Sequence, residues 1–375
     1  MQTIRQKNNF KKKMLTRTKT GFGLVIFYIL FITFCLLTSD VWINDSIIPR
    51  QNKFIFSVCC LVVLTPVIAF ACKEITKLSF SHKKIALLIS TLVVILFTWG
   101  LGLFYTINRY FIIPTKQSQV PSSVNEYLKR IFFINILLTF LGSFSLFLGS
   151  LVVVYFNRRR SEILMFRKSV FWFPVLMLLV GLFFPTVFCV SINYQWTTFA
   201  FLIALSNLSD VFAYLGGSIW GRIKLIEKVS PKKTVEGLIF SFAITSFLFL
   251  GVLATFIYVN MPAIKEYNIV YSILGCQFGG LKDIGKWWWW IIAFFFILSL
   301  QIVSTIGDLF FSYIKRQYRI KDFSNLLPGH GGVLDRLDAI SFVFAIYYFF
   351  SLTMVTILPE NTEQICFFWL GKLTL

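Results

Sequence analysis

The sequence is short of charge. Only 14% of its residues are Asp, Glu, Lys or Arg, while 57% are hydrophobic. A soluble domain is nearer a quarter charged, so an ordinary cytosolic globule is excluded. Acid is scarcer still: 16 Asp and Glu stand against 36 Lys and Arg, a formal net charge of +20. No hydrophilic segment is long enough to hold a nucleic-acid-binding domain, so the basic excess has another use. With two histidines, His82 and His330, a His-rich metal site is out. Five of the seven cysteines lie in apolar runs and no Cys-x-x-Cys occurs. They read as small hydrophobes, implying neither a disulfide framework nor a zinc site. An internal repeat is also missing, which weighs against an inverted-repeat transporter.

What is present is apolar and aromatic. The chain has 45 Phe, 14 Tyr and 10 Trp, and a mean hydropathy of +0.77. Such a chain does not stay solvated, so disorder is excluded. A membrane-crossing helix needs about 20 apolar residues. Charge-free runs of that order fall at 21–38, 54–72, 85–105, 131–156, 169–191, 238–259, 287–307 and 339–358, and a run at 196–220 is interrupted by Asp210 alone. The expected fold is all-α: a polytopic integral membrane protein with about nine transmembrane helices. The first run follows a basic leader, but no small-residue cleavage site follows it, so it reads as an uncleaved anchor. The stretch 365–370 is too short to cross.

The basic residues set the orientation. With a cytoplasmic N-terminus, 26 of the 36 Lys and Arg fall on the cytoplasmic side and 10 outside. The positive-inside rule favours that arrangement. It puts the connections 218–237 and 308–338 in the cytoplasm, where nucleoside triphosphates are. The expected organisation is a basic tail (1–20), a transmembrane scaffold of about five helices (21–195), a working transmembrane region with two cytoplasmic motif loops (196–358) and a C-terminal tail (359–375).

Two polar clusters carry the chemistry. The first runs from Ser206 through Asp210, Tyr214, Gly216 and Gly217 to Ser230-Pro231-Lys232-Lys233-Thr234-Val235-Glu236-Gly237. A carboxylate inside an apolar run costs roughly 2.5–3.5 kcal/mol on insertion scales unless compensated. Asp210 therefore either reaches water or faces a metal, proton or substrate site. The glycines would let backbone approach a ligand closely. Thr234 is placed to cap a helix, and Lys232 and Lys233 would meet phosphate oxygens as point charges or serve only topology. The second cluster runs from Asp308 through Ser312, Lys315, Arg316, Lys321, Asp322 and Ser324 to Leu327-Pro328-Gly329-His330-Gly331-Gly332-Val333-Leu334-Asp335-Arg336-Leu337-Asp338. Asp335 and Asp338 share a helix face at i,i+3. With Asp308 they form a hard-oxygen set of the kind Mg²⁺ accepts, water and substrate phosphate completing the shell. The competing reading is helix capping. The Gly331-Gly332 turn exposes backbone N–H groups as a candidate anion nest, and His330 is a candidate acid or base.

The second cluster resembles the signature of the phosphatidate cytidylyltransferases. It follows their order Ser-x-apolar-Lys-Arg, Lys-Asp-x-small, then apolar-Pro-x-His-Gly-Gly-apolar-x-Asp-Arg-apolar-Asp, with Ser324 where Gly is common. The first cluster is similar to their other shared stretch, with Val235 where Trp is usual. The likeness spans roughly 206–338; the first 195 residues match only as apolar spans.

The resemblance implies the reaction CTP + phosphatidate → CDP-diacylglycerol + pyrophosphate, by metal-assisted in-line transfer; no strong nucleophile–base pair appears in the sequence, so direct transfer without a covalent intermediate is expected. It implies catalytic roles for Asp308, Asp335, Asp210, Lys315 and His330. Substrate binding would fall to Lys232, Lys233, Ser230, Thr234, Arg316, Arg336, Lys321, Gly331, Gly332 and Tyr214. Asp308, Asp335 and Asp338 would hold Mg²⁺, with a second, monovalent cation such as K⁺ in a mixed-metal centre. A homodimer in the bacterial plasma membrane, its site facing the cytoplasm, is implied as well. The alternatives are an ion-coupled transporter, motivated by Asp210, and a CTP-dependent lipid kinase.

Overall fold

The computed structural model describes residues 22–23, 26–38, 48–80, 84–108, 110, 122–156, 163–193, 195–258, 287–328 and 331–357. Among them are nine helices. A short apolar helix, α1, covers Ile26–Leu37. It is followed by α2 (Arg50–Ser79), α3 (Lys84–Ile107), α4 (Ser122–Phe156), α5 (Ile163–Asn193), α6 (Gln195–Trp220), α7 (Val235–Tyr258), α8 (Trp287–Gln317) and α9 (Leu334–Ile357). Each falls on one of the nine apolar runs. Seven are long and apolar enough to cross a membrane, and the chain is an all-α polytopic membrane protein. One two-stranded antiparallel hairpin, β1 (Lys224–Ile226) and β2 (Ser230–Thr234), joins α6 to α7.

The bundle is built around α5. Its apolar span is 78% buried, against 28–44% for the other six, and it packs on α2, α3, α4, α6 and α9. Phe183 of α5 and Phe199 of α6 both meet the Phe344 ring of α9 edge-on or tilted. The peripheral helices turn Ile85, Leu96, Phe140 and Phe247 outward, where lipid would meet them. Lipid tails are as apolar as these side chains, so the helices are held together by close packing and hydrogen bonds rather than by escape from water. Ser206 and Ser304 hydroxyls lie 2.8 Å apart, Ser209 and Ser241 3.1 Å apart, and the Gln301 amide donates to Ser246 Oγ at 2.8 Å. These ties lock α6, α7 and α8 together.

The helices overrun their apolar cores, and this shapes the working end. The α8 helix continues past residue 307 to Gln317, so Asp308, Ser312 and Lys315 occupy one helix face at i, i+4 and i+7. The α9 helix begins at Leu334, ahead of its apolar run. Much of the expected connection 308–338 is therefore helical, and among the described residues the non-helical positions between α8 and α9 are 318–328 and 331–333.

At the other motif, the glycines serve packing. A Cβ on Gly237 would stand 2.5 Å from the Ala213 carbonyl oxygen and 2.8 Å from the Gly217 nitrogen. Only without those carbons does α7 close onto α6. The Gly237 N–H donates to Thr234 Oγ1 at 3.2 Å, the expected cap of α7. Glu236 accepts from the backbone N–H groups of Arg222 and Ile223 at 3.1 Å, which fixes the hairpin on the first turn of that helix.

Candidate active site

Four elements meet at one end of the bundle. From α6 come Asp210 and Tyr214; the hairpin adds Ser230, Lys232, Lys233 and Thr234; α8 gives Asp308; the first turn of α9 gives Asp335, Arg336 and Asp338. Together with Tyr28, Ser206 and Asn207 they line a cleft of about 450 Å³. The structure thus brings together residues that lie more than a hundred positions apart.

Lys233 sits at the centre. Its Nζ lies 2.5 Å from Asp308 Oδ2 and 3.3 Å from Asp210 Oδ1. Burial pulls the ammonium down, but the Asp210 and Asp308 carboxylates pull harder the other way, so its pKa lies above the ordinary lysine value. Lys233 is the cation shared by the Asp210 and Asp308 carboxylates, which come from two different helices. Asp338 lies close enough to feel both Asp308 and Asp210.

A second ion pair lies beside the first. Lys315 Nζ is 3.0 Å from Asp335 Oδ1 and 3.9 Å from Asp338 Oδ2, and it also stands over the Phe323 ring. The other oxygen of Asp335, Oδ2, accepts from the backbone N–H groups of Phe323 and Gly332, both at 2.8 Å. With a side chain only 5% exposed, Asp335 clasps the α8–α9 loop. Gly331, at φ 83°, has its would-be Cβ 2.9 Å from Asp335 Oδ2. The backbone N–H groups at and after Gly332 meet the chain's own carboxylates. Gly332 N–H points at Asp335, while the N–H groups of Val333 and Leu334 point at Glu74 Oε1 and Oε2 at 2.8 and 2.9 Å.

Not every candidate reaches the cleft. Arg316 donates from Nε to the Val229 carbonyl at 3.2 Å, tying the hairpin turn to the end of α8. Lys321 is exposed, and neither it nor Lys315, Gly331 or Gly332 lines the cavity. His330 lies outside the described residues.

Sequence reasoning missed two contributors: Tyr28 of α1, which lines the cleft from the scaffold half, and Glu74, which grips the loop. Ser206 and Asn207, at the start of the first cluster but given no role there, line the cleft too. The only signal for Glu74 is that it is the sole acid in the basic stretch 73–84. Also missed was a second cavity of about 450 Å³, walled by Phe27 and Phe31 of α1, Leu64 and Val67 of α2, Val187 of α5, Ile203 of α6 and Phe344 of α9. It shares Tyr28, Arg336 and Ile340 with the polar cleft.

The carboxylates suit a hard divalent ion. Asp210 and Asp308 offer oxygen donors that already share one cationic atom, whereas the oxygens of Asp335 are engaged by three donors. Among the described residues no three His, Cys, Asp or Glu side chains gather closely enough to hold a metal by themselves. A divalent ion bound here would need water and substrate phosphate to complete its shell.

Fold and cleft define a membrane protein with an acid-and-lysine site at the end of its bundle. The chain belongs to the cytidylyltransferase family, whose model matches residues 13–354. It is 33% identical over 202 residues to the phosphatidate cytidylyltransferase of Aquifex aeolicus, a match covering 53% of this chain and 62% of that one. It is 37% identical over 145 residues to that of Rickettsia bellii (37% and 51% covered). Against that of Brucella suis it is 34% identical over 157 residues (42% and 47% covered). The matched stretches thus span about half the length of these curated relatives.

Proposed function

We propose that this chain is a phosphatidate cytidylyltransferase, joining CTP and phosphatidate into CDP-diacylglycerol with release of pyrophosphate. One observation carries the reading: the polar cleft and the apolar cavity share Tyr28, Arg336 and Ile340. A water-soluble substrate has no use for the apolar half, and a neutral lipid has none for the acid-and-lysine half. A lipid with an anionic head fits both, its phosphate at Arg336 and an acyl chain among Phe27, Phe31 and Phe344.

In the reaction a phosphate oxygen of the lipid forms a bond to the α-phosphorus of CTP. The bond from that phosphorus to the bridging oxygen breaks, and pyrophosphate leaves with the electron pair. The lipid phosphate is already anionic at neutral pH, so no side chain need deprotonate it. What the site must do is bring two anions together, and preorganised cations in a poorly hydrated cleft are the means. Lys232 and Lys233 would hold the triphosphate as point charges, and the Arg336 guanidinium would grip the lipid phosphate through its planar fork. Ser230 and Tyr214 would add hydroxyl donors. Mg²⁺, held by Asp308 and Asp210 with Asp338 beside them, would neutralise charge on the transferring and leaving oxygens. Asp335 would hold the loop in place for this site instead of binding metal directly. The proposal includes a cytoplasmic N-terminus and cleft in a bacterial plasma membrane, a homodimer, and a second, monovalent cation such as K⁺. It also includes the division into a scaffold (21–195) and a working region (196–358).

The test is direct. Detergent-purified protein given labelled CTP, phosphatidate and Mg²⁺ should form a nucleotide-bearing lipid and pyrophosphate in equal amounts. Phosphorylated lipid would indicate a kinase, and no product at all would leave the transporter reading.

A further inference from the structure

The α9 first turn, which carries Asp335, Arg336 and Asp338, is held by a residue from outside both motifs. Glu74 sits on α2, 3% exposed, two residues beyond the apolar run 54–72. Its Oε1 accepts from Ser324 Oγ at 2.6 Å and from the Val333 N–H at 2.8 Å, and its Oε2 accepts from the Leu334 N–H at 2.9 Å. A Cβ on Gly332 would stand 2.6 Å from both carboxylate oxygens, so this carboxylate seats flat against the backbone. One side chain thereby holds both ends of the loop between Ser324 and Leu334. It also places a negative charge at the N-terminus of α9, where the helix dipole favours it.

We infer that Glu74 is a positioning residue for the proposed reaction: it fixes the rotation and depth of the first turn of α9, and with them the reach of Arg336 and Asp338 into the cleft. The inference rests on the reaction proposed above. Glu74 does not line the cleft, so its effect on a substrate passes through that turn. Its three bonds are charge-assisted and shielded from water, the setting in which such bonds are strongest. Ser324 is part of the clasp, which gives the position after Phe323 a use for a hydroxyl.

The experiment compares Glu74→Gln, Glu74→Ala and Ser324→Ala with the wild-type chain, purified in detergent and shown monodisperse by gel filtration. Gln keeps the volume but offers one acceptor oxygen in place of two, so it serves if Ala fails to fold. Loosening the turn displaces Arg336 from the lipid phosphate and leaves the hairpin lysines alone. The KM for phosphatidate should therefore rise at least fivefold and kcat fall at least tenfold in Glu74→Gln, with the KM for CTP within threefold of wild type. Ser324→Ala, with two of three bonds left, should shift the same constants in the same direction by less. A merely structural role would lower the amount of competent protein and leave both KM values unmoved, and that result would overturn the inference. Hydrogen exchange provides an arm that needs no turnover. The amides of Val333 and Leu334 should exchange at least tenfold faster in the Glu74 variants while central amides of α5 keep the wild-type rate. Unchanged exchange at 333 and 334 would overturn the inference as well. If the reaction reading is what fails, the wild type makes no nucleotide-bearing lipid, and the exchange arm decides the clasp alone.

Discussion

Two aspartates of the second motif should fail in different ways when each is changed to Asn. Asp308 is 19% exposed and bonded to Lys233 at 2.5 Å. In Asp308→Asn the amide oxygen still accepts from Lys233, and Asp210 remains beside that ammonium as its carboxylate partner, so the fold should survive the change. The charge that a hard divalent ion requires is gone, however. Turnover should fall at least about a hundredfold, equivalent to about 2.7 kcal/mol in the barrier. Asp335 is the reverse case. Its two oxygens serve Lys315, Phe323 N–H and Gly332 N–H, and its side chain is 5% exposed. An Asn there has one acceptor oxygen, so its NH₂ must face either the two backbone donors or the ammonium. Buried donors left without an acceptor cost about 1–3 kcal/mol each, so a loss of about 3 kcal/mol is expected from stability. The assay is CDP-diacylglycerol formation across a Mg²⁺ titration, paired with thermal unfolding in the same detergent. Near-wild-type turnover in Asp308→Asn would refute the role given to that carboxylate. An unchanged melting temperature in Asp335→Asn would refute the clasp.

Other outcomes follow from the same geometry. Lys233→Gln removes the cation between Asp210 and Asp308 together with a phosphate contact; since a charged hydrogen bond is worth about 1.5–3 kcal/mol, kcat/KM for CTP should fall at least tenfold, and unchanged kinetics would return Lys233 to a topological role. Val187→Trp fills part of the apolar cavity, so kcat/KM for long-chain phosphatidate should drop at least tenfold while a dihexanoyl analogue stays within threefold; equal losses for both would detach the cavity from the acyl chain. Reporters fused after residues 160 and 230 should read cytoplasmic and one after 120 external, because a nine-span reading with a cytoplasmic N-terminus puts 26 of 36 basic residues on one side; reversed readings would put the cleft out of reach of CTP.

The helices were legible because a membrane allows little else: a run of apolar residues must close its backbone hydrogen bonds within itself. All nine runs became helices for that reason. Their ends were less legible. The helical stretch 308–317 mixes Asp308, Lys315 and Arg316 with Leu309, Phe310, Phe311, Tyr313 and Ile314, so a charge-free run ends before the helix does; the i, i+4, i+7 spacing of Asp308, Ser312 and Lys315 was the signal available. The cleft residues of the two motifs could be read individually, but not their pairing. Lys233 lies 23 residues from Asp210 and 75 from Asp308; the packing of α7 onto α6, through Gly217 and Gly237, brings the first pair together, and the seating of α8 against α6, α7 and the hairpin brings the second. The gripping of the Gly331-Gly332 turn by Asp335 and Glu74 was beyond sequence reasoning, since a nest that binds a substrate phosphate and one that binds a side-chain carboxylate have the same residues.

The scaffold half matters to the chemistry through where it touches the working half. Lys168 of α5 donates from Nζ to the Gln317 carbonyl at 2.5 Å, at the end of α8. Its neighbour Ser169 donates to the Ser79 carbonyl at 2.9 Å, at the end of α2. Five residues before Ser79, Glu74 grips the loop and the start of α9. So α5 ties the stems of α2 and α8, and α2 ties the start of α9, all at the end of the bundle where the cleft opens. Each tie satisfies a backbone group at a helix terminus that would otherwise lie exposed to a poorly hydrated surface. The same bonds fix the spacing of the two helices that carry Asp308 and Asp338. A division near residue 195 therefore describes where the chemical groups gather, and mechanical rigidity comes from both sides of it. On this arrangement, substitutions of lipid-facing side chains in the first 195 residues should leave the cleft intact, whereas Ala at Glu74, Lys168 or Ser169 should loosen it.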